Sequence, residues 1–280
     1  MLYLIGIGLN ENQLTLEALA ALKICKTVYL ETYTSRYAGK DDPVPAIERI
    51  IGTRITLLPR GAVEEGAQTL VAQAKQHDIA LLVYGNPLFA TTHVQLLLDA
   101  KAARVQTRIL QGISILNYLG QTGLDAYRFG RTITIVYPHA NYAPVSFFDH
   151  LADNHARGLH TLCLLDIDTE RQKFMSVTDA LSILGKINAK RGTRILANAT
   201  CIGLYGLGSP DERIEAGTAA RLGQTKAQAF PQSLIVCGKL NEKEHEALDA
   251  FYPDESSAKK RKRGARSVLF DDEKIRSNQR

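Results

Sequence analysis

Short apolar runs alternate along the chain with stretches whose apolar residues recur at helical spacing. Leu2 to Ile7, Val28-Tyr29-Leu30, Arg54 to Leu58 and Arg108-Ile109-Leu110 are expected to be strands in the first half. Leu81-Leu82-Val83, closed off by Gly85-Asn86-Pro87, reads as a strand buried on both faces, because proline cannot continue a ladder and glycine tolerates unusual backbone angles. Between the strands, Thr15 is placed to cap a helix carrying Leu16, Leu19, Leu22 and Ile24, and helices are expected over Pro43 to Ile51 and Ala67 to Gln76. Thr91 or Thr92 is placed to cap a helix with Val94, Leu97 and Leu98 on its apolar face, running to about Arg104, and Ser114 to cap one running to about Thr122.

The second half continues in the same idiom. Strands are expected at Thr132 to Tyr137, Thr161 to Leu165, Arg194 to Ala197 and Ser233 to Cys237. Helices are expected at Ser146 to Ala156, Val177 to Ile187, Pro210 to Arg221 and Glu242 to about Phe251. Asp211 and Glu212 suit the first turn of the third of these, where the helix dipole favours negative charge. The proline-bracketed segment Pro138 to Pro144 has no helical period and reads as a linker. The chain therefore divides into an α/β unit over residues 1–137, a second over 145–252 and a tail over 253–280.

Composition changes this picture little until the tail. With 45% hydrophobic and 22% charged residues the chain can bury a sizeable core. No apolar run approaches the roughly 20 residues that span a bilayer. Met1 to Gly6 lacks the basic start and cleavage site of a leader and reads as a first strand. Cys25, Cys163, Cys201 and Cys237 are scattered without a CxxC pair, as buried thiols of a reducing compartment would be, so a cytoplasmic protein is expected. The net charge of +5 is a property of the tail: Lys259, Lys260, Arg261, Lys262, Arg263 and Arg266 account for it, and the remaining body is close to neutral. The tail reads as solvated and disordered, with a basic cluster suited to nucleic acid or an acidic partner.

Local chemistry excludes more than it selects. Gly6-Ile7-Gly8 after the first strand, with Glu31 about 20 residues on, invites a dinucleotide reading, but the third glycine of the fingerprint falls on Glu11, whose carboxylate would oppose a pyrophosphate. Asp166 and Asp168 alternate on a strand end, and the histidines lack ligand spacing, so no metal site is expected. There is no G-x-S-x-G elbow and no P-loop. A two-domain α/β protein with a ligand cleft at the ends of its strands is what the residues alone support.

Read together, the motifs are more specific. Leu4-Ile5-Gly6-Ile7-Gly8-Leu9, Leu30-Glu31-Thr32-Tyr33-Thr34-Ser35, Tyr84-Gly85-Asn86-Pro87-Leu88-Phe89-Ala90-Thr91-Thr92-His93, Gly112-Ile113-Ser114-Ile115 and Gly158-Leu159-His160-Thr161-Leu162 occur in that order. From Met1 to about Phe251 the chain resembles the diphthine synthases, within the tetrapyrrole-methylase-like class of S-adenosylmethionine-dependent methyltransferases. The resemblance implies two αβα domains with the cofactor in the cleft between them, and a homodimer. It implies as substrate the 3-amino-3-carboxypropyl-histidine of translation elongation factor 2, whose amine is methylated repeatedly on the way to diphthamide. Matched position by position, the cofactor shell would be Leu9, Asn86, Phe89, Ser114, Ile115, Leu165, Ala216 and Asn241. Tyr33, Ser35, Thr92 and His93 are candidates for the substrate side, and no general base is assigned.

Three departures stand out. Asn86 occupies the place of the family's usual aspartate, Asn241 that of a cleft histidine, and Leu196 to Thr200 lacks an arginine common nearby. Asparagine keeps hydrogen-bonding capacity but gives up the charge that makes such bonds about twice as strong. Two alternatives follow: a relative acting on a corrin precursor or ribosomal RNA, the latter at odds with the near-neutral body, and a non-catalytic homologue that keeps the fold.

Overall fold

In the computed structural model, which describes residues 1–37, 43–139, 143–169 and 171–252, the first five strands form one parallel sheet. These are β1 (Leu2–Gly6), β2 (Thr27–Glu31), β3 (Ile55–Leu58), β4 (Ile79–Val83) and β5 (Thr107–Leu110), in the order β3-β2-β4-β1-β5. Every residue of β1 and β4 is buried, as expected for strands covered on both faces. Alternate residues serve opposite layers. Leu2, Leu4, Ile79, Leu81 and Val83 pack with the helices Ala67–Gln76 and Val94–Ala102. Tyr3, Ile5, Ala80 and Leu82 pack with the helices Leu16–Leu22 and Val44–Ile51.

The second sheet departs from the expected βα repetition. It holds β6 (Ile133–Ile135), β7 (Thr161–Leu165), β10 (Thr200–Tyr205), β11 (Arg213–Thr218) and β12 (Gln232–Val236), in the order β11-β10-β12-β7-β6. Only β6 and β7 run parallel. A hairpin of β8 (Ile167–Asp168) and β9 (Lys173–Phe174) stands apart. Helices again cover both faces: Ser146–Ala156 and Val177–Lys190 on one, Ile115–Tyr118 and Glu242–Phe251 on the other. The molecule is thus an α/β protein of two αβα units. β6, which the sequence suggests belongs to the first unit, pairs with β7 in the second.

Two expected elements change type. Ile195–Asn198, overlapping the expected strand Arg194 to Ala197, is a helical turn, and the strand follows it at β10. The expected helix from Pro210 to Arg221 is instead β11, followed by the short helix Ala219–Leu222. Arg213 to Thr218 pairs antiparallel with β10 over its full length, and that ladder overrides a local sequence with acidic residues fit for a first helical turn. Of the helix caps, Thr15 and Ser114 act as expected, accepting from Ala18 N and Leu116 N. Thr91 and Thr92 do not. His93 occupies the N-cap without a side-chain bond, Thr91 Oγ1 donates to Pro87 O, and Thr92 Oγ1 donates to Glu64.

All four cysteines are free and buried. Burial pushes the Cys25 thiol up to about 11, so it carries no appreciable thiolate at neutral pH. No helix among the described residues is long and apolar enough to cross a membrane. The basic tail and the centre of the linker, residues 140–142, lie outside the described residues.

A candidate active site where the two units meet

Three loops at the carboxyl ends of β1, β4 and β5 meet backbone to backbone. Gly85, at φ +72°, sits in the left-handed region that glycine enters without strain, and its N–H donates to Gly8 O at 2.8 Å. A Cβ built on Gly6 would lie 2.4 Å from Gly85 O, and one on Gly112 2.1 Å from the same oxygen. No side chain fits there. The close stacking carries the loop tips of the first unit up against the second. Asn10 Nδ2 donates to Gly208 O at 2.6 Å, Gln13 Nε2 donates to Tyr118 Oη at 2.8 Å, and the Arg36 guanidinium lies 4.2 Å from the centre of the Phe174 ring.

Between the units lies a cavity of about 270 Å³. Six of the eight residues expected around a cofactor line it: Leu9, Asn86, Phe89, Ser114, Ile115 and Leu165. Ala216 lies outside the lining, in the apolar cluster that also holds Leu9, Phe89 and Ile115. Asn241 is likewise outside it. It caps the last helix, its side chain accepting from Glu244 N at 2.9 Å, which is a sufficient structural reason for an N-capping residue at that position.

Each end of the Asn86 amide has one partner nearby, which leaves a second N–H and a second lone pair for a ligand. Asn86 Oδ1 accepts from Leu88 N at 3.0 Å, closing an Asx turn, and its Nδ2 donates to Gln111 Oε1 at 2.5 Å. Ser114 begins the helix Ile115–Tyr118 through a capping box with Asn117, whose Oδ1 accepts from Ser114 N at 2.9 Å.

A polar end of the cavity is built on the Leu-Glu-Thr-Tyr-Thr-Ser motif. Glu31 is fully buried at the end of β2, and its Oε2 accepts from Tyr33 N at 2.9 Å and Thr34 N at 3.0 Å, while the Thr34 hydroxyl bonds Oε1. This clamp presents Tyr33, Thr34 and Ser35 to the cavity. Tyr33 Oη stands 3.4 Å from both Thr92 Oγ1 and His93 Nε2. His93 itself is buried at 1% exposure behind the lining, so it faces the cavity only through Tyr33. Its Nδ1 lies 2.9 Å from Pro87 O, a group that only accepts, so the proton is on Nδ1 and Nε2 is the acceptor for the Tyr33 hydroxyl. Burial pushes the Tyr33 phenol above its ordinary value, which keeps it a neutral O–H group.

Arg60 and Glu64 complete this end. Neither is marked by the sequence. They lie on a five-residue helix, Arg60–Glu64, without periodicity or motif, and only the fold brings them to the cleft.

A parallel sheet and a mixed sheet thus share a crevice, part apolar and part polar, that their loops and strand ends line. The model of the tetrapyrrole (corrin/porphyrin) methylases matches residues 1–223, and the chain belongs to that family of methyltransferases. Its relatives narrow the likeness to the diphthine synthases. The chain is 35% identical over 281 residues to the diphthine methyl ester synthase of Mus musculus, covering 92% of this chain and 99% of that one. It is 36% identical over 268 residues to the diphthine synthase of Methanococcus vannielii, covering 90% and 99%. A crystal structure of diphthine synthase superposes with a TM-score of 0.81 at 27% identity, covering 93% of this chain and 99% of that one.

Proposed function

We propose that this chain is the S-adenosylmethionine-dependent methyltransferase that repeatedly methylates the amine of the 3-amino-3-carboxypropyl-histidine of translation elongation factor 2, acting as a cytoplasmic homodimer in diphthamide biosynthesis. The observation that carries this reading is the junction cavity, lined by six matched positions, in a chain similar to diphthine synthases along nearly its whole length.

The residues present suit the cofactor. Leu9, Phe89, Ile115 and Leu165 offer apolar faces to a nucleoside, and Asn86 and Ser114 lie among them as the few polar groups that orient a ligand. Glu64 and Asp166 give the cavity two carboxylates, favourable to a positively charged ligand. When bound, S-adenosylmethionine supplies an electrophilic methyl group on a sulfonium that is already a good leaving group. The chain therefore has to align the acceptor and limit water rather than activate a leaving group. The partly enclosed crevice lowers an amine's pKa and so favours its unprotonated, nucleophilic form. Tyr33, Ser35 and Thr92 hold hydroxyls at the polar end where such an acceptor is received.

The direct test is transfer of labelled methyl from S-adenosylmethionine to elongation factor 2 bearing the aminocarboxypropyl-histidine. Incorporation in successive single-methyl mass steps is expected, and none at saturating cofactor would overturn the reading. The name of the mouse relative includes a methyl ester. Mild alkali distinguishes the two products, since it strips an ester methyl and leaves an N-methyl in place.

Asn86 makes a second prediction. Asn86→Asp keeps the Asx turn, and Gln111 can turn its amide to donate instead. A charged acceptor then faces the cofactor's positive groups, and S-adenosylhomocysteine is expected to bind about fivefold more tightly. Titration calorimetry reads this directly; weaker binding would mean that Asn86 does not face the ligand.

A further inference from the structure

The polar end of the cavity has a charge pattern that the cofactor reading leaves unused. Among the described residues lining the cavity, Arg60 is the only cation. No carboxylate among the described residues pairs with it. What holds it is the Tyr33 ring, whose centre lies 5.1 Å from the guanidinium carbon. A cation–π contact of this kind holds the guanidinium beside the ring while leaving its N–H groups free to meet an anion. Glu64 follows four residues later on the same short helix, so the two side chains lie on one face with about 5–6 Å between their Cβ atoms. Glu64 Oε1 accepts from Thr92 Oγ1 at 2.7 Å, which leaves the other carboxylate oxygen for a further donor. Both residues are exposed at the mouth, where a side chain borne on another protein has to enter.

A cation and an anion so spaced, with the Tyr33 and Thr92 hydroxyls between them, match an α-amino-acid zwitterion, whose ammonium and carboxylate sit on one carbon. We infer that Arg60 and Glu64 form the recognition subsite for the free amino-acid end of the acceptor, Arg60 pairing with its carboxylate and Glu64, with Thr92, receiving its amine. The inference rests on the proposed acceptor and adds to it the residues that read its charge. Arg60 and a carboxylate are geometrically suited to a bidentate pair, which lysine cannot reproduce. Before each transfer the bound ammonium gives up one proton through the mouth to solvent; the freed nitrogen lone pair then forms a bond to the incoming methyl, and the sulfur–methyl bond breaks with its electrons left on sulfur as a thioether. Glu64 lies on that exit path. As methyl groups accumulate the nitrogen loses its hydrogen-bond donors and becomes a fixed cation, to which a carboxylate still offers attraction.

The test is steady-state kinetics of Arg60→Met, Arg60→Lys and Glu64→Gln on elongation factor 2 carrying the aminocarboxypropyl-histidine, alongside calorimetry with S-adenosylhomocysteine. For Arg60→Met the KM for the protein substrate is expected to rise on the order of 10- to 100-fold, the loss that follows from removing a charge-assisted pair. Arg60→Lys should recover part of that loss, and Glu64→Gln should raise KM by a smaller factor. Binding of S-adenosylhomocysteine should stay within about twofold for all three. An unchanged KM in Arg60→Met overturns the subsite while leaving the parent reading intact. Loss of S-adenosylhomocysteine binding in that variant also overturns it, placing Arg60 with the cofactor instead. Failure of the wild-type protein to transfer any methyl overturns the parent reading and this inference with it.

Discussion

Gly112→Ala is expected to destabilise the protein by about 2 kcal/mol and to weaken binding of S-adenosylhomocysteine by tenfold or more. The reason is steric and local. The added methyl would sit 2.1 Å from Gly85 O and 2.6 Å from the Gly6 carbonyl carbon, and both obstacles are backbone that cannot rotate away as a side chain would. To accept it, the loop after β5 must part from the loops after β1 and β4. Those same loops place Leu9, Asn86 and Ser114 around the cavity, so the stability loss and the affinity loss share one cause. Gly120→Ala is the matched control, because a Cβ there meets nothing within 4 Å and its backbone is not left-handed. That substitution should be neutral or mildly stabilising, by up to about 1 kcal/mol. Thermal unfolding and calorimetry on the pair check the argument. A Gly112→Ala protein as stable and as tight-binding as wild type would mean that the junction is loose enough to yield.

Which parts of this structure the sequence makes legible depends on how local their causes are. The strands β1, β4 and β7 are announced by their own apolar runs, because a strand covered on both faces must be largely apolar. β10 and β11 are not. Gly203 interrupts the first, and the second carries Arg213, Glu215 and Gly217; the two close a hairpin across residues 206–212, and neither strand has the apolar period that would mark it. The helix Val94–Ala102 is apolar on more than one side, so its spacing does not single out the face that is buried. Leu96 and Ala100 are buried, whereas Val94 and Leu98 are more than half exposed. The site follows the same rule. Leu9, Asn86, Phe89, Ser114, Ile115 and Leu165 lie in or beside motifs at strand ends, where glycine and proline mark the loops. Arg60 and Glu64 carry no such mark, since their relevance comes from what stands opposite them once the chain has folded.

Glu244 is the sharpest example of a residue whose sequence position misleads, and Glu244→Ala should cost about 3 kcal/mol of stability, or roughly 10 °C in melting temperature. In the first turn of the last helix it looks like an ordinary surface acid, yet it is 1% exposed. Its carboxylate accepts from Arg128 Nη1 at 2.5 Å, His160 Nε2 at 2.8 Å, Asn241 N at 2.8 Å and Asp125 N at 3.1 Å. It thereby ties the last helix to the segment after Thr122 and to the start of β7. His160 Nδ1 accepts from Gly238 N at 3.1 Å, so the ring proton sits on Nε2 and points at Glu244. Removing the carboxylate strands the buried His160 N–H and takes the partner from part-buried donors on two other segments. Burial by itself would raise the Glu244 carboxyl; the N–H of Asn241, the His160 ring and the N–H of Asp125 together outweigh it and hold the group below its ordinary value of 4.5. A carboxyl lowered in the folded state contributes stability that is complete above that ordinary value and is lost as pH falls through the lower, folded one. The wild-type melting temperature should therefore drop on acidification below about pH 4.5, and Glu244→Gln, which keeps the volume but cannot titrate, should drop less steeply over the same interval. Melting curves of the three proteins from neutral pH into that range decide the matter; equal acid slopes for wild type and Glu244→Gln would place the acid-sensitive step elsewhere.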